Sequence, residues 1–258
     1  MQPKKFRRRG NAVRFLKKPA LFLAVALLAA TYVAAKPNKP APNPATVIDK
    51  GSFGIFVSGR RVATEDFTIS QTAQGSVAES ALKLEDGKPA QECKLQLAPD
   101  GNLLRYEWKV VGGQDKSSSV IEPENEFLIQ HIVMPDLKTA DRHFLLTTAT
   151  SIVDDYFFSH REILLWRYLG GNCKAEAGKP GCTLVPAQLG VITPRQQSSA
   201  LVNLSYVGRD NVLYKGAQTE MSHFKISTEN SEWHLWLDDG NKLVKIAIPA
   251  DSTEVIRD

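Results

Sequence analysis

Asp154, Asp155, His160 and Arg161 are the best polar grouping in this sequence for moving a proton or holding a charge. An acid beside an imidazole can orient it and stabilise its charged form, so the chemistry expected of such a set is hydrolysis with His160 as base and Asp154 or Asp155 behind it. No nucleophile is identified next to them. Helix capping and surface pairing explain the same acids without catalysis, so the expected catalytic set is none and a periplasmic hydrolase is the alternative. Interleaved with them stand Tyr156, Phe157, Phe158 and Trp166. With His160, these rings are the expected ligand-binding residues, provided that the structure around them is open.

Other chemistries find little support in the residues. No Gly-x-Ser-x-Gly elbow, phosphate-cradling loop or dinucleotide fingerprint occurs. The five histidines, at 131, 143, 160, 223 and 234, are scattered and show no i, i+2 or i, i+4 spacing, so no metal and no cofactor is expected. His131 shares a strand face with Phe127, Ile129 and Val133, which predicts a hydrogen-bonded core histidine. Cys173 and Cys182 are separated by eight residues in a Gly-rich stretch. Two thiols without a further His or Cys make half of a zinc site, so a disulfide is the expectation, worth roughly 2 to 3 kcal/mol by loop entropy. Cys93 falls on the apolar face with Leu95 and Leu97 and reads as a buried, inert thiol.

The element expected to carry the polar grouping is a helix over residues 151–169. Its apolar residues recur at helical spacing, Ser151 is placed to cap it, Asp154 and Asp155 fall in its first turn, and Gly170-Gly171 would end it. Around it the period is two. Residues 92–97 and 104–110 alternate across Pro99-Asp100-Gly101, residues 233–237 and 244–248 alternate across Asp238-Asp239-Gly240-Asn241, and a third hairpin runs through Ser58-Gly59. Hairpins adjacent in sequence predict an antiparallel meander with one apolar face. The fold class is therefore mainly β, a curved antiparallel half-barrel with one central helix packed in its concave face.

Charge divides the chain further. Eight of the 32 Lys and Arg precede residue 20 with no acid among them, leaving 24 against 28 acids, a formal −4 for the remainder. Without a basic cluster there, nucleic acid is excluded as a partner. The uncharged run Ala20–Ala35 is shorter than a full membrane span and follows a basic segment, so residues 1–35 read as a signal peptide or N-terminal anchor that engages the membrane. No Cys precedes Cys93, so a lipidated N-terminal Cys is not expected. Residues 36–50, with four prolines, read as a linker, and residues 51–258 as one β-rich domain. The expected location is exported, either periplasmic or at the outer face of the inner membrane.

The segments GSFGIFVSGRRVATEDFTIS, DDYFFSHREILLWRYL and LWLDDGNKLVKIAIP resemble uncharacterised bacterial envelope proteins related to the lipoprotein-carrier half-barrels (LolA/LolB-like). That resemblance implies a curved sheet around a helical lid, with an apolar hollow that accepts acyl chains. The Cys173 to Cys182 loop and the missing lipidated terminus depart from the carrier pattern. The expected function is a non-enzymatic envelope protein binding a lipid, an acyl chain or an envelope partner. A structural accessory of an envelope complex is the further alternative.

Overall fold

A computed structural model describes residues 45–88, 90–176, 179–182 and 185–258. The leader assigned to residues 1–35 and most of the linker lie outside the described residues. The chain first runs through eight strands: β1 (Thr46–Val57), β2 (Arg60–Thr72), β3 (Gly75–Leu84), β4 (Ala90–Leu97), β5 (Leu103–Val111), β6 (Ser118–Glu124), β7 (Phe127–Val133) and β8 (Thr139–Phe144). A two-residue strand, β9 (Ser151–Ile152), precedes α1 (Ser159–Asn172), the one α-helix among the described residues, and the hairpin β10 (Cys173–Glu176) and β11 (Lys179–Cys182) follows it. Six more strands complete the chain: β12 (Ala187–Thr193), β13 (Ser198–Tyr214), β14 (Ala217–Ser227), β15 (Glu232–Leu237), β16 (Leu243–Ile248) and β17 (Thr253–Arg257).

Fifteen strands form one sheet in the order β8-β7-β6-β5-β4-β3-β2-β1-β17-β16-β15-β14-β13-β12-β9. Each of the two arms is a meander, and β17 pairs with β1 to join them. Only the short β9 runs parallel to its neighbour, β12. Register shifts at Val47/Asp49, Ile55/Phe56 and Tyr206/Gly208 add to the right-handed twist and bend the sheet. The bend brings the far arms together: inward-pointing Gln130 of β7 donates to the Pro194 carbonyl beyond β12 at 2.9 Å. The result is the expected curved, mainly β half-barrel, with alternate residues such as Phe53, Ile55, Leu82, Leu95, Tyr106, Phe224 and Leu235 facing inward and buried.

The helix fills that concavity. Glu162 accepts from the Leu243 amide of β16, Tyr168 Oη from the Tyr206 amide of β13, and Ser159 Oγ lies 2.9 Å from Ser80 Oγ of β3. Strands of both arms are thus bonded to one helix. Its two ends differ from those read in the sequence. Ser151 sits in β9, and the helix starts at Ser159 because Glu65 of β2 supplies a carboxylate that accepts from Phe158 N at 2.5 Å and from the Ser159 amide and hydroxyl. Orphan amides of a first turn need an acceptor, and here it comes from the sheet, 93 residues away in sequence. Asp154 and Asp155 consequently lie before the helix, and Gly170 and Gly171 lie within it. At the other boundary, β1 begins at Thr46, so the last residues of the 36–50 linker belong to the sheet.

Candidate functional site

The polar grouping around residues 154–161 is buried, and its members are wired differently from an acid–base relay. Asp154 has no exposed surface; its carboxylate accepts from Tyr106 Oη at 2.5 Å and from Arg195 Nε at 3.1 Å. Only its backbone amide reaches His160, donating to Nδ1 at 3.3 Å. Asp155 pairs outward with the Gln196 side chain. An amide donor at Nδ1 places the imidazole proton on Nε2, which lies 3.6 Å from Cys93 Sγ. That tautomer donates toward the sulfur, whereas a base that activates a thiol must accept from it.

Electrostatics agree with the wiring. Burial, reinforced by the charges of Arg161 and Arg195, pushes His160 down to about 3, so it is neutral. Burial also raises the Cys93 thiol well above its usual range and, with Asp154 beside it, the Tyr106 phenol. Arg161 is lowered to about 10 by burial; its guanidinium donates to the Asp154 and Phe157 carbonyls and lies over the Phe158 and Trp233 rings. Glu65 is raised to about 7 by burial, against its hydrogen bonds. Lower on the helix, burial and then the Asp49 charge raise Glu162 to about 8. Burial opposes ionisation of Asp49 too, yet hydrogen bonds from Lys242 and Arg257 hold it below the ordinary carboxylate range. These groups anchor the helix.

Beside the helix lies a partly enclosed hollow of about 340 Å³. Leu95 and Leu97 of β4, Ile152 of β9, and Ile163, Leu164 and Trp166 of α1 form its apolar wall, with His160, Ser151, Asp100 and Arg167 adding polar edges. Of the five expected ligand-binding residues, His160 and Trp166 line it. Trp166 is held there by donation from Nε1 to the Asn241 carbonyl at 2.6 Å. Phe157 and Phe158 are buried in the core instead, Phe157 under the Arg195 guanidinium. Tyr156 is 39% exposed, sits at φ +62°, and turns its ring toward Arg195 and Phe158, away from the hollow. Spacing alone missed Leu95, Leu97, Ile163 and Arg167. The alternation on β4 marked its two leucines as inward, but not which side of the helix they would meet.

A larger groove of about 910 Å³ lies on the outer face of β1 to β6. Ion pairs Lys94–Glu79 and Lys109–Glu92 edge it, on the face of the sheet opposite the helix. The remaining sequence expectations divide. Cys173 and Cys182 form a disulfide that closes the β10–β11 hairpin, and Cys93 is free and buried. His131 is no core histidine: it lies on the solvent side, 44% exposed, with Nδ1 at 2.8 Å from Asp141. Two histidines that looked scattered meet across β14 and β15. His223 Nε2 is 2.9 Å from His234 Nδ1, Asp210 and Glu232 flank the pair, and Trp236 stacks on His223. Among the described residues, no group of three or more His, Cys, Asp and Glu could hold a metal ion, and no helix is long and apolar enough to cross a membrane.

No family model matches the chain, and no curated protein matches it. Among solved structures it is similar to a beta-barrel-like protein of the domain of unknown function DUF1849 from Brucella abortus, with 8% identity, a TM-score of 0.48, and coverage of 81% of this chain and 93% of that one. It is also similar to a DUF1089 family protein from Pseudomonas aeruginosa, with 10% identity, a TM-score of 0.37, and coverage of 79% and 92%. Neither of these two is a lipoprotein carrier by description.

Proposed function

We propose that this chain is an exported, non-enzymatic protein that holds a short apolar ligand, a lipid or acyl segment, in the hollow beside α1. The observation that carries the reading is the hollow itself: about 340 Å³, walled by Leu95, Leu97, Ile152, Ile163 and Leu164, and within the size range of small-molecule sites. The apolar concavity is otherwise filled by the helix, so the fit is to one short chain and not to several. Burying about eight methylenes yields roughly 6 kcal/mol, and association costs at least about 4 of that, so the expected affinity is weak and tuned by chain length. The basic, uncharged-run leader and the Cys173–Cys182 disulfide support export to an oxidising compartment. The Nε2–H tautomer of His160 and its burial favour a structural role for it over a hydrolytic one.

The test is displacement of a fluorescent acyl probe from the purified protein, alongside mass spectrometry of lipids that co-purify. Probe binding that Ile163→Trp abolishes by filling the hollow is the expected result. Absence of probe binding, or binding unaffected by Ile163→Trp, overturns the reading. A second reading, a structural accessory of an envelope complex, draws on β8, whose outer edge pairs with no strand among the described residues and whose residues 139–143 are exposed. Cross-links from residue 141 to a partner in intact cells would favour it.

A further inference from the structure

The hollow beside α1 is apolar in its wall but not at its rim, and the rim is lopsided in charge. Arg167 follows Ile163 by one helical turn, so the two side chains share a face of α1. The guanidinium of Arg167 makes one long hydrogen bond, to Ser151 Oγ at 3.4 Å, and among the described residues no carboxylate lies within ion-pair distance of it. Asp100, the acid on the same rim, is already engaged: its two oxygens accept from the Asn102 backbone amide at 3.0 Å and side-chain amide at 2.8 Å. Gly170, also at the rim, has nothing within 4 Å of where a Cβ would stand, so the hollow opens there. His160, at the inner end, is neutral and offers no second cation.

An arginine without an acid, at the mouth of an apolar hollow, is suited to the head of an anionic amphiphile. Its planar fork can donate two parallel hydrogen bonds to one carboxylate or phosphate, which a lysine or an amide cannot match. We propose that the ligand is a single-chain amphiphile with an anionic head, its tail lying in the hollow and its head on Arg167; this rests on reading the hollow as an apolar site. The carbonyl end of α1 is one turn further on and carries partial negative charge, which opposes an anion. The preference for a charged head therefore depends on Arg167 alone.

Titration of the purified protein with decanoate, decyl phosphate and decanol at neutral pH separates the parts. A charge-assisted pair at the rim predicts that one or both anions bind about tenfold more tightly than decanol, and which anion leads identifies a fatty-acid-like or a phospholipid-like head. Arg167→Leu should erase that margin while leaving decanol binding in place, and Arg167→Lys should keep a smaller one. Equal binding of all three by the wild type, or a margin that survives in Arg167→Leu, overturns the proposal while the apolar site stands. Failure of all three to bind overturns both together.

Discussion

Replacing Glu65 by Gln isolates the carboxylate that starts the helix. Glu65 is wholly buried, accepts from Phe158 N, Ser159 N and Ser159 Oγ, and is raised by burial from 4.5 to about 7. Below pH 4.5 the carboxyl is protonated in both the folded and unfolded chain. Between 4.5 and 7 the unfolded chain has lost the proton and the folded chain keeps it, so this group lowers stability as pH rises, by about 3 kcal/mol in all, and the slope ends above 7. His160 works in the opposite direction. It is depressed to about 3, so its contribution to stability increases as pH climbs from there to its unfolded value of 6.5. The wild-type profile mixes both slopes, but Glu65→Gln changes only one. Gln also sets an NH2 group against the Phe158 and Ser159 amides, a cost that does not vary with pH. Urea unfolding followed by tryptophan fluorescence should therefore show the stability of Glu65→Gln, relative to wild type, rising by about 3 kcal/mol from pH 4.5 to pH 7. A difference that stays flat across that range would mean that Glu65 ionises normally inside the fold, and the account of burial as the dominant influence on its charge would be wrong.

Three further outcomes follow from the same contacts. Reducing Cys173–Cys182, or replacing both with Ser, should lower stability by roughly 2 to 3 kcal/mol, read as a shift in the urea midpoint with and without reductant. Asp154→Asn leaves the mostly buried Arg195 without its acid and should cost about 3 to 5 kcal/mol, whereas Tyr106→Phe, which removes one donor to the same carboxylate, should cost about 1 to 3; equal losses would contradict the arrangement. His223 is lowered by burial and then by the neighbouring His234 against the pull of Asp210, so it contributes stability that grows as pH rises from its folded value to 6.5; His223→Gln should flatten that part of the profile in thermal melts.

The hairpins were legible because their causes are local. Gly101 at φ +82° takes the left-handed turn that its position between two alternating runs requires, and Cys93, Leu95 and Tyr106 point inward as their period of two demands. The helix was legible in kind and not in extent. Residues 151–158 carry acids and apolar residues at plausible helical spacing, but Asp154 is drawn away by Tyr106 and Arg195, 48 and 41 residues distant, and Ser151 by strand pairing with Val191. No local pattern encodes those partners. The His223–His234 pair escaped for the same reason: the two residues lie on neighbouring strands, diagonal across a hairpin, so their contact is a matter of register and not of sequence interval.

The long-range partners also account for where a ligand can be held. Charged contacts to the sheet are concentrated over residues 154–162, where Glu65, Tyr106, Arg195, Asp49 and Arg257 fix the start of α1. Asp49, Glu65, Tyr106, Asp154 and Glu162 are buried and the two arginines mostly so, and removing a partner leaves a buried polar group or charge unmatched, so this half cannot yield without destabilising the fold. The following turns, from Ile163 to Gly170, meet the sheet through apolar side chains, a half-buried Trp166, the Tyr168 hydroxyl that accepts from the Tyr206 amide, and an Arg167 that donates to Ser151 Oγ and has no carboxylate partner among the described residues, with open space at Gly170. Leu95 on β4 touches both regimes, buried in the core and lining the hollow. Substitutions in the hollow should therefore change binding while leaving the unfolding midpoint nearly fixed, and substitutions near the helix start should do the reverse. If Ile163→Trp and Glu65→Gln instead moved binding and stability together, one cooperative core would be responsible for both, and the division of α1 into an anchored half and a binding half would have to be abandoned.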